Sequence, residues 1–342
     1  MILLCYGTRP EYIKILPLMD EFDDNGTQYK VLFTGQHMDL LPLEATRRLD
    51  HALDIKDGEN RLDSIIESVM NAPRVWEEEY EFLLVQGDTT TAFACALAAF
   101  HRNIPVIHLE AGLRTYDNQN PYPEEFNRQA ISRLGAVHLC PTNQDAQNLR
   151  TERVQGNIYV VGNTVLDNLR KKNLSVGYSN KVLITMHRRE NHNIIPEWFE
   201  QFDRVAKAFD ELEFVYYAHP NPNVQKHLDK LQHVTVLPAL LYDDFIKEVA
   251  TCQFVITDSG GLQEESSFLR KKSIVCRKKT ERVAGLGEYS ALCLYPEQLY
   301  AIVNEVSKNY RVSEESICPY GNGYSARNIL TILENFENEQ GV

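Results

Sequence analysis

Residues 82–102 read FLLVQGDTTTAFACALAAFHR, and this stretch decides the fold class. It begins with the apolar run Phe82–Val85, turns through Gln86-Gly87-Asp88, and continues as Thr90–Arg102 with the apolar spacing of a helix. A short apolar strand that passes through a glycine turn into a helix is the repeating unit of parallel α/β sheets. The stretch therefore predicts one unit of a doubly wound α/β domain.

The same alternation of strand and helix recurs along the chain. The other predicted strands are Ile2–Tyr6, Tyr29–Thr34, Pro105–Leu109, Val137–Cys140, Lys181–Thr185, Phe214–Tyr217, Val234–Leu237, Phe254–Thr257 and Ser273–Cys276. The other predicted helices are Glu11–Phe22, Asn127–Arg133, Pro196–Asp210 and Leu262–Leu269. Together they predict two Rossmann-like doubly wound domains, over residues 1–166 and 167–324, with the boundary in the polar stretch Asp167–Asn180. A last helix, at about residues 325–342, can pack on either half.

Composition excludes several classes of partner. The chain has 342 residues with 35 Lys and Arg against 48 Asp and Glu, a net charge of −13. Binding of nucleic acid or of an anionic membrane needs a basic excess that is missing here, so we expect neither. The seven cysteines form no Cys-x-x-Cys pair, which predicts reduced thiols in a cytoplasmic protein and no metal site. The longest apolar stretch, Ala92–Phe100, is too short to span a membrane.

Ligands of open α/β sheets bind at the carboxyl ends of the strands, and polar residues follow seven predicted strands. These segments are Gly7–Glu11, Gly35–His37, Gln86–Thr90, Glu110–Arg114, Met186–Asn191, His219–Pro222 and Asp258–Glu265. Ser259-Gly260-Gly261 opens a helix, where backbone N–H groups can approach a phosphate closely, and Glu265 lies one turn further on, within reach of a ribose. The same three residues are equally typical of a tight strand-to-helix turn that Asp258 or Ser259 caps.

Charged residues at these strand ends form two further groups. The cations suited to a diphosphate are Arg9, Lys14, Arg128, His187, Arg188 and His219. The carboxylates Asp88, Glu110 and Glu124 are suited to acid–base catalysis, although each is also typical of a helix cap or an ion pair. The chain lacks the Gly-x-Gly-x-x-Gly, Gly-x-Ser-x-Gly and His-x-x-x-His motifs, which disfavours dehydrogenases, serine hydrolases and zinc hydrolases. Proton transfer beside a bound diphosphate is the chemistry that remains.

Taken together, these segments resemble one family, the non-hydrolysing UDP-N-acetylglucosamine 2-epimerases. The matching stretches follow one order along the chain. They are GTRPE (7–11) with Lys14, TGQH (34–37), QGDTT (86–90), HLEAGLR (108–114), PYPEEFNR (121–128), GNTVLD (162–167), HRREN (187–191), HPNP (219–222), LLYDDF (240–245), TDSGGLQEE (257–265), TER (280–282) and PYGNG (319–323). The resemblance thus covers nearly the whole chain.

The resemblance implies the GT-B arrangement of two Rossmann-like domains, an active site in the cleft between them, and a homodimer. It implies reversible interconversion of UDP-GlcNAc and UDP-ManNAc without NAD, metal or other cofactor, through elimination of UDP to a 2-acetamidoglucal intermediate and its re-addition. Two alternatives stay open at this point. One is a GT-B glycosyltransferase that uses a UDP-sugar, and the other is an epimerase that acts on a variant UDP-2-acetamido sugar.

The resemblance also implies roles for individual residues. The catalytic positions are Asp88, Glu110, Glu124 and His187. The positions for substrate or UDP are Arg9, Lys14, Arg128, Ser259, Gly260, Gly261 and Glu265. A second site, at which UDP-GlcNAc activates bacterial members of the family, is matched by Gln36, His37, Arg188 and His219. Which carboxylate is the acid and which the base stays open.

Overall fold

Two parallel sheets organise the residues that the computed structural model describes, which are 1–36, 43–46, 48–56 and 58–340. The strands are β1 (Ile2–Tyr6), β2 (Tyr29–Phe33), β3 (His51–Ala52), β4 (Phe82–Gln86), β5 (Val106–Leu109), β6 (Gly135–Cys140), β7 (Asn157–Val160), β8 (Lys181–Thr185), β9 (Glu213–Ala218), β10 (Thr235–Pro238), β11 (Phe254–Thr257), β12 (Lys272–Val275) and β13 (Ser290–Leu292). The helices are α1 (Arg9–Asn25), α2 (Leu43–Thr46), α3 (Arg61–Met70), α4 (Pro73–Trp76), α5 (Thr90–Phe100), α6 (Glu124–Leu134), α7 (Asn143–Thr151), α8 (Val165–Lys171), α9 (Ile195–Ala208), α10 (Pro222–Gln225), α11 (Tyr242–Thr251), α12 (Gly260–Phe268), α13 (Leu299–Lys308) and α14 (Ser325–Gln340).

The first unit comprises Met1–Asn168 and Gly321–Val342. Its described strands form a parallel sheet in the order β3-β2-β1-β4-β5-β6-β7. Every residue of β1 and β4 is buried, because helices cover both faces of the sheet, and α1 and α14 pack together on one of them. The buried Asp167 carboxylate caps α14 by accepting the backbone N–H groups of Ser325 and Ala326, at 3.1 and 2.9 Å. The C-terminal helix therefore packs on the first unit.

The second unit is Leu169–Tyr320, and its described strands form a parallel sheet in the order β10-β9-β8-β11-β12-β13. Its core lies under α9, whose buried aromatic side chains Trp198, Phe199 and Phe202 recur at helical spacing. In both units the chain reverses its direction of winding beside the first strand of the sheet, β1 or β8. The carboxyl ends of the strands around this reversal form the place where α/β sheets bind ligands.

All ten strands predicted from the sequence are present, with ends that differ by at most two residues. The prediction missed β3, β7 and β13, which all lie at the edge of a sheet. Edge strands are short and partly exposed, as in the burial of β7, so they lack the apolar run that marks a central strand. None of the described helices has both the length and the apolar character that a bilayer-spanning helix requires.

Candidate active site

Four elements of the first unit carry its predicted site residues at the carboxyl edge of the sheet. Arg9 is the first residue of α1, and Lys14 lies on its second turn. Asp88 lies on the turn between β4 and α5, Glu110 directly follows β5, and α6 begins at Glu124. Because β1, β4 and β5 are neighbours, these turns lie side by side.

Glu110 is paired with Lys14. The Lys14 ammonium donates to both carboxylate oxygens of Glu110, at 2.7 and 2.5 Å, and the two side chains are only 15% and 8% exposed. The backbone of Glu110 has a φ of +66°, in the left-handed region that residues with a Cβ seldom occupy. A residue held in such a conformation is a candidate for function, because the surrounding structure must offset the conformational free energy of the left-handed backbone.

Asp88 is paired with Arg128, although the two residues are forty positions apart. Arg128 is almost fully buried and also donates to Glu125 at 3.2 Å. The Asn127 amide donates to the Asp88 backbone carbonyl at 2.8 Å, so the start of α6 holds the Asp88 turn through a side-chain and a backbone contact. Glu124, which is half-buried, begins the same helix.

The neighbouring Glu125 is structural. Its carboxylate has no exposed surface and accepts the backbone N–H groups of Thr115 and Tyr116, both at 2.9 Å. It therefore fixes the loop between β5 and α6. Of the two adjacent glutamates in the PYPEEFNR stretch, only Glu124 stays a candidate for catalysis.

Glu11, which sequence reasoning did not select, ties the first turn to the Asp88 turn. Its fully buried carboxylate accepts from Gly7 N at 3.1 Å, from the Thr8 hydroxyl at 2.7 Å and from the Thr89 hydroxyl at 2.6 Å. Burial raises the pKa of Glu11, and these hydrogen bonds act in the opposite direction. The sequence feature that could have identified Glu11 is its position in the GTRPE stretch, one turn after a strand.

His108 is a second residue that sequence reasoning missed. It lies inside β5 with no exposed surface, and its Nε2 is 2.8 Å from the backbone oxygen of Gly87, the residue before Asp88. Burial lowers the pKa of His108 to about 3, so the ring is neutral at physiological pH. Nε2 then carries the proton and donates to Gly87, which steadies the turn that holds Asp88.

In the second unit, Ser259-Gly260-Gly261 begins α12. Ser259 is the N-cap, and its hydroxyl accepts from Leu262 N at 3.5 Å. A Cβ on Gly260 would lie 2.5 Å from Nη1 of Arg282, whose guanidinium pairs with Glu264 and Glu281. This places Arg282, a cation that sequence reasoning did not select, beside the helix N-terminus. The turn is capped, as one interpretation of the sequence predicts, and binding of a phosphate by its N–H groups stays a prediction.

Glu265 lies on α12 one turn beyond the glycines and is nearly buried. The Tyr242 hydroxyl donates to its Oε1 at 2.6 Å, and burial together with the adjacent carboxylate raises the pKa of Tyr242. The tyrosine therefore stays a hydrogen-bond donor at all physiological pH values. It fixes the orientation of the carboxylate that the sequence assigned to a ribose.

His187, Arg188 and His219 gather around Asp258. The buried Asp258 carboxylate accepts from the backbone N–H of His187 at 3.1 Å and of Arg188 at 2.8 Å, and from Nδ2 of Asn191 at 3.1 Å. The His187 and His219 rings stack with centroids 5.2 Å apart. Burial lowers the pKa of both imidazoles, although Asp258 opposes this effect. A neutral His187 offers one donor and one acceptor to a ligand.

The residues matched to the activating site fall into both units. In the first, the Gln36 side chain accepts from the Thr91 hydroxyl at 2.8 Å. Arg188 and His219 belong to the second, and His37 lies outside the described residues. Within the described part of the chain, no group of three or more His, Cys, Asp or Glu side chains is arranged to hold a metal ion.

The structure thus brings the predicted residues of each unit into small groups. In the first unit these are the Lys14–Glu110 and Asp88–Arg128 pairs; in the second, they are the Asp258 cluster and the start of α12. A family model described as UDP-N-acetylglucosamine 2-epimerase matches residues 20–334. The chain belongs to this family. The resemblance to its non-hydrolysing members that the motifs indicated is confirmed.

Other epimerases of the family match the chain over its full length. The UDP-N-acetylglucosamine 2-epimerase of Campylobacter jejuni is 34% identical and covers 100% of this chain and 99% of its own. A crystal structure of the Neisseria meningitidis UDP-GlcNAc 2-epimerase bound to UDP-GlcNAc has a TM-score of 0.87 at 31% identity and covers 98% of this chain and 99% of that one. The S. aureus MnaA–UDP co-structure has a TM-score of 0.85 at 29% identity, with coverages of 98% and 96%. The predicted two-domain GT-B fold class is thereby confirmed.

Proposed function

We propose that this chain interconverts UDP-GlcNAc and UDP-ManNAc by inverting C2 of the sugar. The observation that carries the proposal is the pair of carboxylate–cation contacts, Lys14–Glu110 and Asp88–Arg128, on adjacent turns at the carboxyl edge of one sheet. Inversion at carbon requires one group to remove a proton and another to supply one on the opposite face. Two carboxylates with separate cationic partners match that requirement, and Glu124 adds a third.

The proposed reaction is an elimination followed by an addition. A carboxylate takes the proton from C2, the C2–H electron pair forms the C1=C2 double bond, and the C1–O bond breaks with its electrons on the leaving UDP. UDP then adds back to C1 of the 2-acetamidoglucal while C2 receives a proton on the other face. Substrate and product are isomers, so the cycle has no net redox change and needs no hydride carrier.

UDP must stay bound while the sugar reacts, because its diphosphate is both the leaving group and the returning nucleophile. In the second domain, the N–H groups at the start of α12 suit the diphosphate, with His187 and Arg282 as neighbouring donors. Glu265 suits the ribose hydroxyls. In the first domain, Arg9 and Lys14 supply positive charge beside the carboxylates.

Incubation of the purified chain with UDP-GlcNAc in D₂O, followed by NMR, tests the proposal. We expect UDP-ManNAc to appear with deuterium at C2 of both sugars. Free ManNAc with UDP would instead indicate a hydrolysing enzyme, and sugar transfer to an added acceptor without C2 exchange would indicate a glycosyltransferase. Deuterium exchange at C2 that occurs only with a modified UDP-2-acetamido sugar would support the same mechanism with a different substrate.

Gly261→Ala tests the diphosphate site. Nothing described lies within 4 Å of a Cβ at Gly261, so the new methyl group enters open space on the first turn of α12. We expect the affinity for UDP to fall about tenfold or more, because the phosphate can no longer approach the N–H groups closely. Isothermal titration with UDP measures this change.

A matched control is available in the same unit. Gly177 also has open space at its Cβ position, and its φ likewise lies outside the left-handed region. Gly177→Ala should leave UDP affinity unchanged, and both variants should keep the melting temperature of the parent chain. Equal UDP affinity of Gly261→Ala and the parent would remove the start of α12 from the UDP site.

Several inferences from the sequence and from the resemblance stay predictions. They are the homodimer, the cytoplasmic location, the absence of a cofactor, the active site between the domains, and the activation by UDP-GlcNAc through Gln36, His37, Arg188 and His219. The assignment of acid–base catalysis to the first domain and of UDP binding to the second is also a prediction. Activation would appear as a lag in the UDP-ManNAc direction that trace UDP-GlcNAc removes.

A further inference from the structure

Glu110 accepts hydrogen bonds from two uncharged side chains in addition to its ion pair with Lys14. The Gln86 amide donates from Nε2 to Oε2, and the Asn163 amide donates from Nδ2 to Oε1 at 3.3 Å. Both amides are only 3% exposed. Three donors from three different parts of the chain thus converge on one carboxylate.

The surroundings of both amides are defined. Gln86 ends β4 and lies opposite Leu109, the residue before Glu110, in the parallel ladder with β5. The Asn163 carbonyl oxygen accepts the backbone N–H of Val165 at 3.1 Å, so its NH₂ group is the end that faces Glu110. The Asn163 amide therefore cannot turn its acceptor toward the carboxylate without losing its contact with Val165.

Such surroundings favour the ionised form of a carboxyl group, because each donor stabilises the negative charge and none accepts a proton from it. We propose that Gln86 and Asn163 are positioning residues that keep the Glu110 carboxylate ionised and in one orientation, so that Glu110 enters the reaction as a proton acceptor. The proposal rests on the proposed function and concerns the same site. In it, a Glu110 oxygen binds the proton that leaves C2, while the C2–H electrons form the double bond and UDP departs with the C1–O electrons.

Charged and titratable groups on three neighbouring elements lie near Glu110. Lys14 contacts it from α1, and His108 on β5 stays neutral because burial lowers the pKa of that imidazole to about 3. Asp88, on the turn after β4, is paired with Arg128. The donors lower the pH at which Glu110 loses its charge, so removal of a donor must move the acid limb of the activity profile to higher pH.

Gln86→Met removes one donor and keeps the size of the side chain. We expect the acid limb of kcat to move upward by about one pH unit, since a hydrogen bond to a charged group is worth about that much. Gln86→Glu keeps the shape but places a second carboxyl group beside Glu110, so its shift should be larger. Asn163→Leu tests the second donor and should shift the limb in the same direction.

Controls separate positioning from loss of structure. Gln144 on α7 is an exposed amide of the same unit whose side chain bonds only Asn148 among the described contacts, so Gln144→Met should leave the profile unchanged. UDP affinity should match the parent in every variant, and circular dichroism should show each variant folded at the assay temperature, although the loss of buried hydrogen bonds lowers its melting temperature. A uniform fall of kcat at all pH values, or an acid limb that does not move in Gln86→Glu, would overturn the proposal. A parent chain without C2 exchange would overturn the proposed function instead.

Discussion

Replacement of Glu110 by glutamine is expected to lower kcat for epimerisation by about 10²–10⁴-fold, the range that general acid–base groups contribute. Glutamine keeps the size of the side chain and can still accept from Lys14, but it cannot bind the C2 proton. Asp88→Asn and Glu124→Gln should have effects of similar size if both proton transfers use this trio. Deuterium incorporation at C2 and formation of UDP-ManNAc measure the loss.

UDP binding distinguishes a catalytic role from a structural one. Because the UDP groups are proposed for the second domain, titration with UDP should give the parental affinity in all three variants. Glu78 provides a matched control, since it forms the same Lys–Glu pair with Lys30 in the same unit, at a more exposed position. Glu78→Gln should keep nearly full kcat. Near-normal turnover by any member of the trio would remove that residue from the proposed mechanism.

Asp258→Ala is expected to destabilise the second unit by about 3–5 kcal/mol. The carboxylate is fully buried, and its removal leaves the N–H groups of His187 and Arg188 and the Asn191 amide without their acceptor. Unsatisfied buried donors carry a desolvation penalty of about 1–3 kcal/mol each. Urea unfolding followed by circular dichroism measures the change.

The same variant should also lose epimerase activity, because the His187 segment loses the contacts that place it. Asp203 supplies the control: it accepts the backbone N–H groups of Gln232 and His233, at 2.6 and 2.5 Å, but it is partly exposed. Water can replace its contacts, so Asp203→Ala should cost about 1–2 kcal/mol and leave kcat intact. An equal loss of unfolding free energy in the two variants would contradict the prediction that burial makes the contacts of Asp258 more stabilising than those of Asp203.

The central strands were predictable because each is a continuous apolar run. Burial on both faces of a parallel sheet requires such a run, and β1, β8 and β11 match their predicted bounds in full. The sequence analysis did not predict the helices α3, α7 and α13, because the polar residues on their exposed faces obscure the helical repeat of the apolar ones. A helix that covers one face of a sheet needs only a narrow apolar stripe.

Selection of site residues from the sequence depended on position after a strand, which chose Asp88, Glu110 and Ser259. The same rule included Gln86 in the segment after β4 without assigning it a role, and it did not select Asn163 or Tyr242. They are neutral residues whose roles depend on the carboxylates that they contact. The sequence selected Glu124 rather than Glu125, and the structure adds a physical reason, because the buried Glu125 carboxylate accepts from the backbone of Thr115 and Tyr116.

The sequence by itself determined the fold class, the order of the central strands, the family, and the residues that follow each central strand. These properties are local, since apolar runs, glycine turns and motifs lie within a few consecutive positions. Only the tertiary structure decided which charges meet: Lys14 with Glu110 across 96 positions, and Asp88 with Arg128 across 40. Pairing depends on the order of strands in the sheet, which places β1, β4 and β5 side by side although long crossovers separate them along the chain.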